Sequence, residues 1–534
     1  MAINPRHIQK NDLSRPNHRA AFEVTGLVAV LLLLAAYLLL RYGGQWGEND
    51  AATFVLAIQA MLESGRLIPS SYVYANGYAY QALSVFIIEV GGLTTAQFQQ
   101  AIQVFLIAWI ALPAWLLYRE LTGSQRGATL ATAILVVQPE LLFPLMRGTH
   151  EKLTRGLLLL ALYLFIKSLG PARPPARQAS FRLAFYLVMF GMVAFNNLLA
   201  ITLIAALWSA LIGLIALRWW THTSNPAGQT IERRLVWVSL TSSGLALLYT
   251  FCLYPPAQSI LLTFRDILSH LTSFVLNQEN ATPALDPYAY TAHAWISQPV
   301  YFLLSSANWI LLGVSAAIWL WQSLKIVRRR SLAWPPGALL LWAFYGAFAL
   351  QEVASIVIDF SGALAANLQV RAFPSFVLLG APVVARALVG WRYLKPPFKP
   401  AAWASGMALL AVLAFFAVLK ATNEPLVSNK WQFYLPAEMQ ALDRAGIILH
   451  DRPIWTESDE RLRVARFLRD PSAVKNEKLV TGIAAARNVL VSDVILARAI
   501  RTGSFPPIEP DSLIVYDNGQ AQLYHLRPRT PFEP

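Results

Sequence analysis

Polar interruptions divide the first 420 residues into apolar runs of membrane-crossing length, since about 20 residues at ~1.5 Å rise cover ~30 Å of hydrocarbon. The runs lie near residues 21–42, 97–119, 127–146, 153–169, 181–196, 198–218, 234–254, 299–325, 337–358, 371–390 and 401–420, which predicts eleven spanning helices. The first, Phe22 to Leu40, is followed by no small-residue cleavage site and reads as an anchor. Between the first two runs the pattern changes. In "AATFVLAIQAMLESGRL" Phe54, Ile58, Met61 and Leu62 share one face and Thr53, Gln59, Glu63 and Arg66 the other. That period predicts a helix lying on the membrane surface. "GYAYQALSVFIIEVGG", Gly77 to Gly92, is apolar but holds Glu89 and is only 16 residues long, so it reads as a re-entrant or interfacial helix.

After Lys420 short strand-like runs ("RPIW", "NVLVS") alternate with amphipathic helical ones ("PAEMQALDRAG", "DERLRVARFLRD", "DVILARAIRTG"). "SLIVYDNGQAQLYHL" predicts a β-hairpin, because Asn518-Gly519 supplies the positive φ angles of a tight turn. The expected fold is a polytopic α-helical membrane protein with a small α/β C-terminal domain. Residues 1–420 form the membrane part, with 43–96 as its first outer loop, and 421–534 form the domain.

Composition supports this class: 56% of the 534 residues are hydrophobic and 13% charged. The net charge of +14 lies wholly within residues 1–420, because 421–534 hold 14 Lys/Arg and 14 Asp/Glu. A basic surplus confined to the membrane part is a topology signal and not a nucleic-acid footprint. With Gly77–Gly92 off the list of spans, the connections at Arg119/Arg126, Lys167/Arg173/Arg177, Arg218/Arg233/Arg234, Lys325/Arg328/Arg329/Arg330 and Arg392/Lys395/Lys399 share a side with the N-terminus. That side is cytoplasmic by the positive-inside rule, which leaves the C-terminal domain extracytoplasmic on a multi-pass protein of the plasma or inner membrane. Cys252 is the single cysteine, so no intrachain disulfide forms.

The unusual polar residues gather on the outer side. Glu48 and Asp50 in "GEND" stand just before the surface helix. Asp50 reads either as an N-cap or as a carboxylate that takes a proton from an acceptor hydroxyl or ligates a hard divalent cation, and Glu48 as a solvated charge or its partner. "MRGTHEKLTR" sets Arg147, His150, Glu151, Lys152 and Arg155 within nine residues. These are either snorkelling helix-end charges or a phosphate site. Arg371 stands alone at the outer start of a helix. Tyr78 and Tyr80 belong to an interfacial aromatic belt or stack on a sugar. No Walker loop, dinucleotide fingerprint, nucleophile elbow or zinc spacing occurs, which argues against ATP-driven transport.

This order of elements resembles the GT-C class of integral-membrane glycosyltransferases: one helix, a first outer loop with "GEND" and a surface helix, a tyrosine-rich second surface segment, "RGTHEKLTR", many helices and an outer C-terminal domain. The protein O-mannosyltransferase-like and aminoarabinose transferase-like members are the more similar. The WWDYG signature of oligosaccharyltransferases is missing, and the second loop carries His-Glu where those enzymes place another acidic pair. The resemblance implies an inverting transferase that moves a sugar from a polyprenyl-phosphate donor in the bilayer to a protein, lipid or glycan acceptor. It implies Asp50 as catalytic base with Glu48 beside it, and Arg371 on the donor phosphate, which adds to the reading of Arg147, His150 and Glu151 as phosphate-site residues. The resemblance fixes no cofactor; a divalent cation, Mg or Mn, on Asp50 and Glu48 stays open. A carrier or flippase for lipid-linked sugar and a non-catalytic scaffold are the alternatives.

Overall fold

The computed structural model describes residues 18–46, 49–67, 77–145, 147–169, 174–221, 226–253, 257–276, 299, 303–329, 334–361, 368–390, 399–421, 434–449, 454–455, 488–496, 508 and 511–526. Among these the apolar runs become helices in the expected order. They are α1 (His18–Tyr42), α2 (Asn49–Ser64), α3 (Ala79–Gly91), α4 (Thr95–Thr122), α5 (Gln125–Val136), α6 (Pro139–Leu145), α7 (Glu151–Ser168), α8 (Pro175–Phe195) and α9 (Asn197–Thr221). Then follow α10 (Pro226–Leu248), α11 (Ala257–Val275), α12 (Ser306–Arg329), α13 (Pro336–Phe360), α14 (Leu368–Gly390) and α15 (Lys399–Ala421).

Nine helices among the described residues are long and apolar enough to cross a membrane, and ten if the bent pair α5/α6 counts as one. The run expected as one span over 127–146 is bent by 74° at Gln138–Pro139. Proline removes the amide that would continue the α5 ladder and starts α6 at its first position, so the break follows from its chemistry. The run at 153–169 is α7, which carries Lys152, Arg155 and Lys167 and buries most of its side chains inside the bundle. Exposed Phe22, Leu40, Trp219, Leu183 and Phe415 ring the outside of the bundle, the apolar belt that lipid requires. Inside, Tyr118 of α4 reaches across to donate its hydroxyl to the Leu378 carbonyl at 2.7 Å.

The helix α3 is 13 residues, about 20 Å at 1.5 Å per residue, too short to span. Its Tyr80, Gln81, Ser84 and Ile88 are buried while Phe86 and Val90 face outward. In α2, Phe54, Ile58 and Met61 are buried as expected, but Gln59, assigned to the polar face, is buried too, because α3 and the start of α4 cover more of the helix than one stripe.

The C-terminal sheet has the order β1-β2-β4-β3, with β1 (Ile454–Trp455) parallel to β2 (Asn488–Ser492) and β3 (Leu513–Asp517) and β4 (Ala521–His525) antiparallel. The hairpin turn sits where the sequence places it, with Gly519 at φ +85°. Helix α16 (Pro436–Leu449) packs Met439, Leu442 and Ala445 on Leu490 and Leu523. Its buried Glu438 accepts from Ser492 Oγ at 2.5 Å. The amphipathic run "DERLRVARFLRD" lies outside the described residues, as does most of "DVILARAIRTG". The Tyr434 amide donates to the Gln45 carbonyl at 3.1 Å, so the sheet domain stands at the end of the bundle that carries the first loop.

Candidate functional site

Two surface helices and one short connection build the site at that end. Gly77 enters α3 at φ +145°, and a Cβ there would lie within 2.8 Å of the Ala194 and Phe195 carbonyl carbons. Only glycine lets the chain pass so close to the end of α8. The next turn then drops Tyr80 into the interior, edge-on to Phe54 of α2 with ring centres 5.2 Å apart and 6.5 Å from Phe98 of α4. Burial pushes the Tyr80 hydroxyl above the usual phenol range, with Ser84 and Gln99 opposing, so the ring stays neutral. Tyr78 is also buried. Neither tyrosine forms an exposed aromatic belt.

Phe54 in turn lies 5.2 Å from the His150 ring. Asn196 at the end of α8 donates Nδ2 to His150 Nε2 at 2.6 Å. An amide nitrogen only donates, so Nε2 accepts and the proton sits on Nδ1.

The connection from Arg147 to Glu151 is drawn against α2 at Gly148. A Cβ there would come within 3.6 Å of Ala51 Cβ and run into the Gln99 amide. The first turn of α2 is thereby set beside the connection. Asp50 is the second residue of α2, inside its first turn and not at the N-cap, where free amides and the helix dipole favour a carboxylate. Its side chain and the whole of Glu48 lie outside the described residues.

Glu151 organises the cations. Its Oε2 lies 3.2 Å from Arg147 Nη1 and 3.6 Å from Arg155 Nη2. Burial alone would raise this carboxyl, but the fields of Arg147, Arg155, His150 once protonated, and Arg371 outweigh it and hold it at about 2. That field also brings Arg371, exposed in the first turn of α14, to the same site as the connection. Arg371 is set in place by Asp359 at the end of α13, which accepts the Leu368 and Gln369 amides at 2.8 and 2.7 Å and so caps α14. Lys152 takes no part. Its Nζ is buried and donates to the Arg147 carbonyl at 2.8 Å and to Gln103, clamping the connection to α4.

The sequence reading missed Glu140, Asn308 and Lys420. Pro139 turns Glu140 inward, where Oε1 accepts from Asn308 Nδ2 at 3.1 Å and lies 3.7 Å from Lys420 Nζ. Arg155 donates to the Glu140 carbonyl, which joins this group to Glu151. The signal was present as "QPE" inside an apolar run.

Among the described residues no three His, Cys, Asp or Glu side chains converge to hold a metal ion. The Glu151 carboxylate is engaged by two guanidinium groups, and the carboxylates expected to hold a cation, Asp50 and Glu48, have side chains outside the described residues.

No protein-family model and no curated protein matches the chain. Solved structures do. ArnT from Cupriavidus metallidurans in the apo state superposes with a TM-score of 0.51 at 14% identity, covering 95% of this chain and 98% of that one. The Archaeoglobus fulgidus oligosaccharyltransferase AglB, in complex with an inhibitory peptide and a dolichol-phosphate, gives 0.51 at 12% identity over 92% and 72%. The same oligosaccharyltransferase with Zn and sulfate gives 0.50 at 15% identity, where the match spans 79% of this chain and 55% of that one. At such identities the likeness is one of fold. The chain has a GT-C-like membrane fold.

Proposed function

We propose that this protein is a membrane glycosyltransferase that moves a sugar from a polyprenyl-phosphate donor to an acceptor hydroxyl at the outer leaflet. The observation that carries the reading is the pairing of Arg147 and Arg155, from one short connection, on Glu151, within the electrostatic reach of Arg371 from α14 and beside the first turn of α2 that bears Asp50. Basic side chains are depleted on the outer side of a membrane protein, and a cluster there asks for an anion. A lipid phosphate meets that demand, since its tail stays in the bilayer while its head reaches the helix ends. The fold supports the same class, and AglB is solved in complex with a dolichol-phosphate.

In the proposed reaction the acceptor hydroxyl oxygen attacks the anomeric carbon from the side opposite the phosphate. Its proton passes to Asp50, the C–O bond to the phosphate breaks with its electron pair going to the phosphate oxygen, and the configuration inverts. Arg147 and Arg371 stabilise the charge gathering on the leaving phosphate, and His150 offers Nδ1–H as a hydrogen-bond donor. Glu151 acts on the arginines and not on the substrate: it holds them in register. Tyr78 and Tyr80 shape the wall of the site from beneath. In this reading residues 1–420 form the catalytic membrane part, 421–534 stand outside a plasma or inner membrane, and the N-terminus is cytoplasmic.

Incubating the purified full chain with polyprenyl-phosphate sugars, a mixed acceptor extract and a reporter of free polyprenyl phosphate tests the reading. Transfer yields free lipid phosphate in step with a glycosylated acceptor. A carrier moves the intact lipid across vesicles without releasing phosphate, and a scaffold does neither.

A further inference from the structure

Beside the cationic connection, the bundle interior holds acceptor oxygens that the fold leaves unused. Glu352 of α13 is 6% exposed and Asn308 of α12 is 5% exposed. Glu352 Oε2 and Asn308 Oδ1 are buried side-chain acceptors with no hydrogen-bond partner among the described residues. Both border Glu140: Asn308 donates to its carboxylate at 3.1 Å, and Glu352 lies in its electrostatic field, next to Gln369 and Asp359. Native folds rarely leave such groups unsatisfied, and a carboxylate inside a membrane bundle marks a functional position by default. Asp359 is accounted for by the cap it makes on α14, and Glu140 by Asn308 and Lys420. Asn308 spends its amide nitrogen on Glu140 and Glu352 takes a hydrogen bond from Gln369, which leaves one acceptor oxygen unspent on each. What they lack is a donor, so the group that completes them bears N–H or O–H.

The position narrows the ligand. Arg155 donates Nη1 to the Glu140 carbonyl while Nη2 faces Glu151 at 3.6 Å, so a single guanidinium separates the acceptor-rich interior from the phosphate-binding cluster. In a glycosyl phosphate the sugar ring begins one bond from the phosphate oxygen. A phosphate at Arg155 would direct its ring towards Glu140, which Arg155 touches through its carbonyl and Asn308 through its carboxylate.

We propose that Glu352 and Asn308, with Glu140 behind them, form the subsite for the donor's sugar ring and recognise it through hydrogen-bond donors, either ring hydroxyls or an ammonium substituent. The proposal rests on the transferase reading above. Binding of three lipids to the full chain in detergent tests it: undecaprenyl phosphate, a neutral hexosyl undecaprenyl phosphate and an amino-sugar undecaprenyl phosphate. The wild type holds at least one glycosylated lipid about tenfold more tightly than the bare one, the gain expected of a charge-assisted hydrogen bond. Glu352→Gln, which keeps the shape of the side chain, and Asn308→Leu reduce that preference to near unity and leave affinity for bare undecaprenyl phosphate unchanged, which also shows that they fold. A preference for the amino sugar that Glu352→Gln removes identifies an ammonium group, and one for the neutral sugar identifies hydroxyls. Equal affinity of the wild type for all three lipids, or a preference that survives both substitutions, overturns the proposal. If no lipid binds, the transferase reading falls with it. If the preference behaves as stated but free lipid phosphate is never released, the sugar subsite stands and the transferase reading alone fails.

Discussion

At the scale of single residues, the site works by charge balance. Glu151 pairs with two arginines in a half-buried setting, and its carboxyl is held at about 2 against an ordinary value of 4.5. A depressed carboxyl contributes stability that is fully present above about 4.5 and is lost as pH falls towards 2. Thermal unfolding in detergent checks the sign: the wild type loses stability below pH 4.5 by a margin that Glu151→Gln does not show. At neutral pH that variant is destabilised by about 2 kcal/mol, since Arg147 and Arg155 lose their counter-charge. Arg371 is exposed, and its proposed task is the ligand, so Arg371→Ala leaves thermal stability within about 0.5 kcal/mol. It lowers affinity for polyprenyl phosphate about tenfold, and Arg371→Lys restores part of it, because lysine offers the charge without the fork. Unchanged lipid affinity in Arg371→Ala would remove it from the site.

At the scale of elements, the two surface helices carry the precision. The seat of α3 depends on Gly77, whose positive φ and contact with the Ala194 and Phe195 backbone leave no room for a side chain. Gly77→Ala costs about 2 kcal/mol of stability and displaces Tyr80 from Phe54, which a drop in melting temperature together with reduced turnover registers. A full-strength enzyme with an unchanged melting temperature would contradict that seat. The helices themselves were legible from hydrophobic period and length, and so were the hairpin at Asn518-Gly519 and the non-spanning length of α3. The break at Pro139 was not, because hydropathy averages over one proline, and with it went Glu140 and its ties to Asn308 and Lys420. Nor does composition reveal that Lys152 is a clamp while Arg147 pairs with Glu151: the two lie five residues apart, and only the packing of Gln103 and Trp109 separates their roles. Asp359 was not singled out, because its partners, the Leu368 and Gln369 amides, lie nine and ten residues further along the chain.

At the scale of the whole molecule, the bundle positions one cluster and the C-terminal sheet stands over the same end, tied to the first loop at Gln45. The proposed topology puts that end outside the cell. In a Cys252→Ser background, an impermeant maleimide applied to intact cells labels Gln520→Cys in the hairpin turn and labels His18→Cys only after the membrane is opened; the reverse pattern would invert the topology. The central claim is transfer through Asp50, and one comparison reaches it most directly: sugar transferred from a radiolabelled polyprenyl-phosphate donor by the wild type and by Asp50→Asn, at equal donor occupancy. The account predicts that the variant folds and binds donor as the wild type does while its transfer falls by about 10²-fold or more, the scale of a lost general base. Transfer at the wild-type rate by Asp50→Asn would contradict it.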